Sequence, residues 1–136
     1  MANAPGFRPL SRPGMGELPF EYLQMTDAEA SVLGEGLVQT SGKLTKVGAT
    51  ATPQFIAAKT AAASTPGAII PVWRVDELQE WTTQSMATVA ATLEGSKVTL
   101  HTDGLLVTAT TASGVFEISE TDGATTTSNV RGRFRR

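Results

Sequence analysis

From residue 20 onward, apolar and polar positions alternate over short stretches divided by glycine-bearing turns, the period-two pattern of strands. Phe20 to Met25 forms the first stretch, with Phe20, Tyr22 and Gln24 on one face and Glu21, Leu23 and Met25 on the other. Thr26 and Glu29 have the spacing of a helix capping box, which predicts one helical turn stopped by Gly34 and Gly36. Residues 36–47 read as a hairpin around Thr40-Ser41-Gly42, with Leu37, Leu44 and Val47 as inward anchors. A strand over 54–58 follows Pro53, and 60–67 is too short for a stable helix and turns at Pro66-Gly67. In 68–75, Ile69, Pro71, Trp73 and Val75 share one face, and Trp73 is the expected core anchor. Pro71 lacks the amide hydrogen of a central ladder and calls for an edge or a break in pairing. A further strand is predicted over 79–84, with Trp81 exposed beside Glu80 for a partner. Asp103-Gly104 signals a hairpin between 97–101 and 105–108, and strands at 115–118 and in the Thr-rich end complete the series.

Many strands in close succession without long helical intervals predict a mainly β fold, a compact small β-barrel or β-sandwich with a short helical turn at most. Residues 20–136 form that domain. Residues 1–19 differ: Pro5, Pro9, Pro13 and Pro19 alternate with Gly6, Gly14 and Gly16, which predicts an extended arm. Phe7, Leu10 and Met15 punctuate it and are the expected anchors on a neighbouring subunit.

Composition supports strands and excludes several chemistries. The chain has 20 threonines, β-branched residues that suit a pleated surface. With no cysteine, thiolate metal sites, disulfides and cysteine nucleophiles are ruled out. The start of the chain lacks the basic-then-apolar form of a signal peptide, and no run approaches the roughly 20 apolar residues that cross a bilayer. A net charge of −2 makes no general case for nucleic acid or membrane.

No catalytic or metal centre is assembled. His101, the one histidine, has only Asp103 two positions away, at most two ligands where structural zinc takes four. No serine lies in a Gly-x-Ser-x-Gly elbow. Asp76, Glu77 and Glu80 form the densest acidic group but lack the alternating oxygens of a calcium loop, and Gly34-Glu35-Gly36 lacks the rest of a dinucleotide fingerprint. These features predict a non-enzymatic protein with no cofactor. Arg131, Arg133 and Arg135 alternate with Gly132 and Phe134, so a strand there carries a basic face. The patch is too short for nucleic acid and suits ion pairs with a partner protein or edge protection.

Taken in order, Glu21-Tyr22-Leu23, the 34–38 and 42–46 arms of the hairpin, Ile70-Pro71-Val72-Trp73-Arg74-Val75, residues 97–105 and Val130-Arg131-Gly132-Arg133-Phe134 resemble the head decoration, or capsid cement, proteins of tailed bacteriophages. The resemblance covers most of residues 20–135. It implies a virion structural protein made in the host cytoplasm that sits on the outer capsid surface, as a trimer at local threefold sites, and holds the major capsid protein lattice together. The alternatives are a minor capsid or tail component and a carbohydrate-binding module, the latter needing an exposed aromatic platform.

Overall fold

Thr40 and Lys43 face each other across a two-residue turn in which Ser41 and Gly42 both take positive φ, 52° and 82°. That is the turn whose twist matches a tight hairpin, and glycine adopts it without steric cost. The computed structural model describes residues 5–10 and 18–135, and around this hairpin it builds two antiparallel five-stranded sheets. The strands are β1 (Arg8–Pro9), β2 (Phe20–Gln24), β3 (Gly36–Thr40), β4 (Lys43–Lys46), β5 (Phe55–Ala57), β6 (Ile69–Arg74), β7 (Trp81–Gln84), β8 (Lys97–Val98), β9 (Phe116–Thr121) and β10 (Asn129–Phe134). A 3-10 turn at Ala91–Leu93 is the one helical element among the described residues. The fold is thus mainly β, as the periodicity predicts.

The first sheet has the order β1-β7-β10-β9-β8 and the second β2-β6-β5-β3-β4. Phe7, Trp81, Phe116, Ile118 and Phe134 dominate the larger core, to which the second sheet contributes Ile56, and Val47, the residue after β4, adds to it. Met25, Leu37, Leu44, Phe55, Ile70 and Val72 enclose a smaller core on the other side of the second sheet. The edge strands of that sheet meet at one point, where Met25 bridges Leu44 and the Thr26 N–H donates to the Leu44 carbonyl at 2.9 Å.

Three local expectations are corrected. No helix follows Thr26; Ala28 takes a φ of 61°, and the Glu29 carboxylate accepts from the Thr45 hydroxyl and the Lys46 amide instead of capping. Of the two alternatives for Pro71 the structure takes the break in pairing, within an inner strand. β6 tolerates it because regular pairing with β5 stops at Ala57 opposite Val72, and the Pro71 carbonyl still accepts from Ala58 at 2.9 Å. The Asp103-Gly104 turn forms, with His101 N–H donating to the Leu106 carbonyl. Its flanks are nevertheless reduced to a Leu100–Val107 bridge, since Lys97 and Val98 pair with β9. Trp73 and Trp81 exchange their expected roles: Trp81 is fully buried and Trp73 only half-buried. In β6 the fully enclosed face belongs to Ile70 and Val72.

β10 alternates as expected, with Val130, Gly132 and Phe134 buried and the arginines on the opposite face. A β-bulge falls between Arg131 and Gly132, where the register on β9 skips from Glu120 to Ile118. At Gly132 a Cβ atom would stand 2.0 Å from the Glu117 carbonyl oxygen, so only glycine permits this close strand approach.

Candidate binding surface

Cross-strand register places Phe20 opposite Trp73, Tyr22 opposite Pro71 and Gln24 opposite Ile69, all on one face of β2 and β6. Phe20 is 54% exposed, Tyr22 69% and Ile69 68%. Phe20 and Trp73 stack with ring centroids 5.8 Å apart, and the Trp73 ring meets Trp81 edge-on at 6.2 Å. The outermost aromatics are therefore fastened to the core through Trp73, which gives the patch a fixed shape. Contiguous exposed apolar surface of this kind marks an interaction site more often than a solvent face. On the opposite face of the same strands Glu21 and Arg74 form a bidentate pair of 2.7 and 2.8 Å. That hydrogen bond lowers the Glu21 pKa, and at so exposed a position it adds little stability.

The sequence-predicted contacts are distributed differently. Phe7 lies inside the protein's own core, with its ring centroid 4.8 Å from Phe134 and 5.4 Å from Phe116. Backbone bonds from Gly6 to Leu105 and from Phe7 to Gly34 hold it there. Phe7 is thus not offered to a neighbour, because this aromatic cluster buries it completely. Leu10 is half-buried and anchored by backbone: its N–H donates to the Glu80 carbonyl, and its carbonyl accepts from the Gln79 side chain. Met15 lies outside the described residues. Trp81, expected at a partner surface, is fully buried in the larger core, where its ring meets Trp73 and Phe134 edge-on at 6.2 and 6.0 Å.

Arg131, Arg133 and Arg135 share a face, but carboxylates of the same chain meet them. Arg131 reaches Glu120 at 2.6 Å and Glu80 at 3.5 Å, Arg133 reaches Glu80 at 3.1 Å, and Arg135 reaches Glu117 at 3.4 Å and Glu77 at 3.9 Å. The sequence points these arginines at a partner protein; in the structure they pair with carboxylates of their own chain. Sequence spacing marked both groups; only the β7–β10–β9 register brings them together.

The remaining polar groups serve turns. His101 Nδ1 lies 3.2 Å from Asp103 Oδ2, while Asp103 Oδ1 accepts from the Leu105 amide at 2.8 Å. Asp76 accepts from the Leu78 and Gln79 amides at 2.8 and 2.9 Å, beside a hollow of about 350 Å³ lined also by Thr52, Val75, Glu77 and Phe134. No group of three or more His, Asp or Glu side chains suited to a metal occurs among the described residues. No described helix is long and apolar enough to cross a membrane.

Among the described residues, Phe20, Tyr22 and Ile69 are exposed large hydrophobics that share one face. No family model, curated protein or solved structure matches the chain. Its function is therefore argued from the residues themselves. The alternation that makes the patch is legible in Phe20-Glu21-Tyr22-Leu23-Gln24, but the pattern alone does not tell which face a second layer covers.

One buried charge has a measurable consequence. The Glu35 side chain is 4% exposed, with Lys46 Nζ 3.7 Å away and the Val32 amide at 3.4 Å. Burial raises its pKa against the pull of Lys46, and the Glu29 charge adds to the rise. The folded chain thus holds this proton above the pH at which the unfolded chain releases it. Its contribution to stability is greatest at low pH and falls as pH rises from the ordinary carboxylate range through the raised value. Glu35→Gln is expected to flatten that decline, measured as the change in urea midpoint with pH; an equal decline in both proteins would assign it to other groups.

Proposed function

We propose that this protein is a virion structural protein that binds the outer surface of a tailed-bacteriophage capsid lattice and stabilises it, as a trimer at local threefold sites. The exposed face of Phe20, Tyr22, Ile69 and Pro71 carries this reading, together with the sequence resemblance. Cementing requires no reaction, only a rigid body with an apolar contact surface whose weak contacts are multiplied by several copies. The rigid frame is read as a small barrel, since the Met25–Leu44 bridge joins the two edges of the second sheet around its own core. A patch fixed by Trp73 loses little side-chain freedom on docking, which favours affinity.

The docking surface thus moves from the N-terminal arm to the β2–β6 face. Expanded shells lacking decoration are the test partner, and bound copies per shell the readout. Wild-type protein is expected to saturate the threefold sites, and Tyr22→Asp or Ile69→Asp to lower occupancy at least tenfold while the circular dichroism stays unchanged. Undiminished occupancy would remove the patch from the interface. A stoichiometry of only a few copies per particle would favour a minor capsid or tail component.

A further inference from the structure

We propose that Gln79 and Trp81 hold one internal water molecule between them, at a site that fastens the end of the N-terminal arm to the core. Both residues are fully buried. Among the described residues, Gln79 Oε1 and Trp81 Nε1 are the buried side-chain atoms to which no group of the chain hydrogen-bonds. One is an acceptor and the other a donor. Native proteins rarely bury such atoms unsatisfied, and ordered water is the usual partner where the chain provides none.

The Gln79 amide cannot turn to satisfy itself. Its Nε2 donates to the Leu10 and Glu80 carbonyls, so both amide hydrogens are used, and a flipped amide would set its oxygen against two carbonyl oxygens. Oε1 is thereby directed away from those carbonyls. Gln79 and Trp81 stand two residues apart on the chain entering β7, with Glu80 between them turned out to Arg131 and Arg133, so their side chains share the inner face. Pairing of Pro9 with Trp81 and the bond from Leu10 N–H to the Glu80 carbonyl hold this segment against β1. The Trp81 ring is fixed as well, edge-on to Trp73 at 6.2 Å and to Phe134 at 6.0 Å.

The pair selects its ligand. A cation would meet the indole N–H and an anion the amide oxygen, whereas water accepts from the first and donates to the second. The next polar side chains on this face are satisfied by the chain itself: Thr83 Oγ1 donates to the Leu105 carbonyl at 2.7 Å, and Ser85 Oγ accepts from the Ser128 amide at 2.9 Å. The hollow lined by Asp76 and Phe134 borders the neighbours of both residues, since Asp76 accepts from the Gln79 amide and the Phe134 ring meets Trp81. That gives solvent a short way in. The consequence is mechanical, because Gln79 Nε2 clamps the Leu10 carbonyl and a water on Oε1 fixes the clamp. Immobilising the water costs entropy, so it offsets only part of the penalty for burying the indole N–H.

Magnetisation transfer from water to the indole protons tests the site, and the chain has only two tryptophans to resolve. Trp73→Phe assigns the Trp81 resonance. In the wild-type chain the Trp81 Nε1 proton is expected to give a rotating-frame cross-peak to water with the sign of dipolar contact, opposite to that of chemical exchange. Gln79→Met keeps the length of the side chain without its acceptor, and is expected to lose that cross-peak while the far-ultraviolet circular dichroism stays unchanged. A high-resolution crystal structure of the wild-type chain gives a second reading that does not rest on the variant, with density expected within hydrogen-bond distance of both Gln79 Oε1 and Trp81 Nε1. Absence of the dipolar cross-peak in the wild type would overturn the proposal. So would a cross-peak undiminished in folded Gln79→Met, or a crystal in which the two side chains bond each other directly. None of these outcomes depends on shell binding.

Discussion

Phe7→Ala is expected to lower the unfolding free energy by about 3–5 kcal/mol, the usual cost of emptying a buried phenylalanine site. Phe7 is fully enclosed between Phe116 and Phe134, and flanking backbone bonds to Gly34 and Leu105 limit how far the site can collapse around the cavity. Removing residues 1–10 takes away the same ring together with β1 and is expected to cost at least as much. For a domain of this size, about 5–15 kcal/mol is the whole margin, so the truncated chain should be largely unfolded at modest temperature. Urea denaturation checks both. A loss below about 1 kcal/mol for Phe7→Ala would place the ring outside the core.

The second large effect separates the two tryptophans. Trp81→Ala is expected to cost about 3–5 kcal/mol, and Trp73→Ala clearly less, because Trp73 keeps part of its surface in water. Trp81 Nε1 is buried without a hydrogen-bond partner, as is Gln79 Oε1. An unpaired buried donor costs about 1–3 kcal/mol, so Trp81→Phe, which deletes it, should be far milder than the alanine variant. Equal losses at 73 and 81 in chemical denaturation would contradict this division between core and surface.

Why Trp73 rather than Trp81 reads as the core anchor is physical. Ile69-Ile70-Pro71-Val72-Trp73 is apolar on both faces, so its periodicity cannot select the buried one. The choice is made by the second sheet, where Ile70 and Val72 enclose the small core with residues distant in sequence. Trp81 stands beside Glu80 and is followed by Thr82 and Thr83, a polar setting that suggests exposure; the rings of Trp73 and Phe134, distant in sequence, cover it in the core. Phe7 was hidden for a different reason, since a segment alternating proline with glycine carries no period from which burial can be read.

What was legible depended on local chemistry. Ser41-Gly42 fixes the hairpin, and alternation in 129–134 fixes which side chains of β10 enter the core. The partners of Arg131 and Arg133 were not legible, because Glu80 and Glu120 meet them through strand pairing over long sequence separations. The binding face lay between these cases. Phe20 and Tyr22 were assigned to one face of the first strand, and the absence of a covering layer is what makes that face a surface.

A density map of the protein bound to an expanded shell tests most directly whether the β2–β6 face is the docking surface. Capsid density packed against Phe20, Tyr22 and Ile69, with Phe7 still inside its own subunit, is the predicted result. A protein seated through another surface with these side chains in solvent, or a shell that carries none of it, would contradict the assignment.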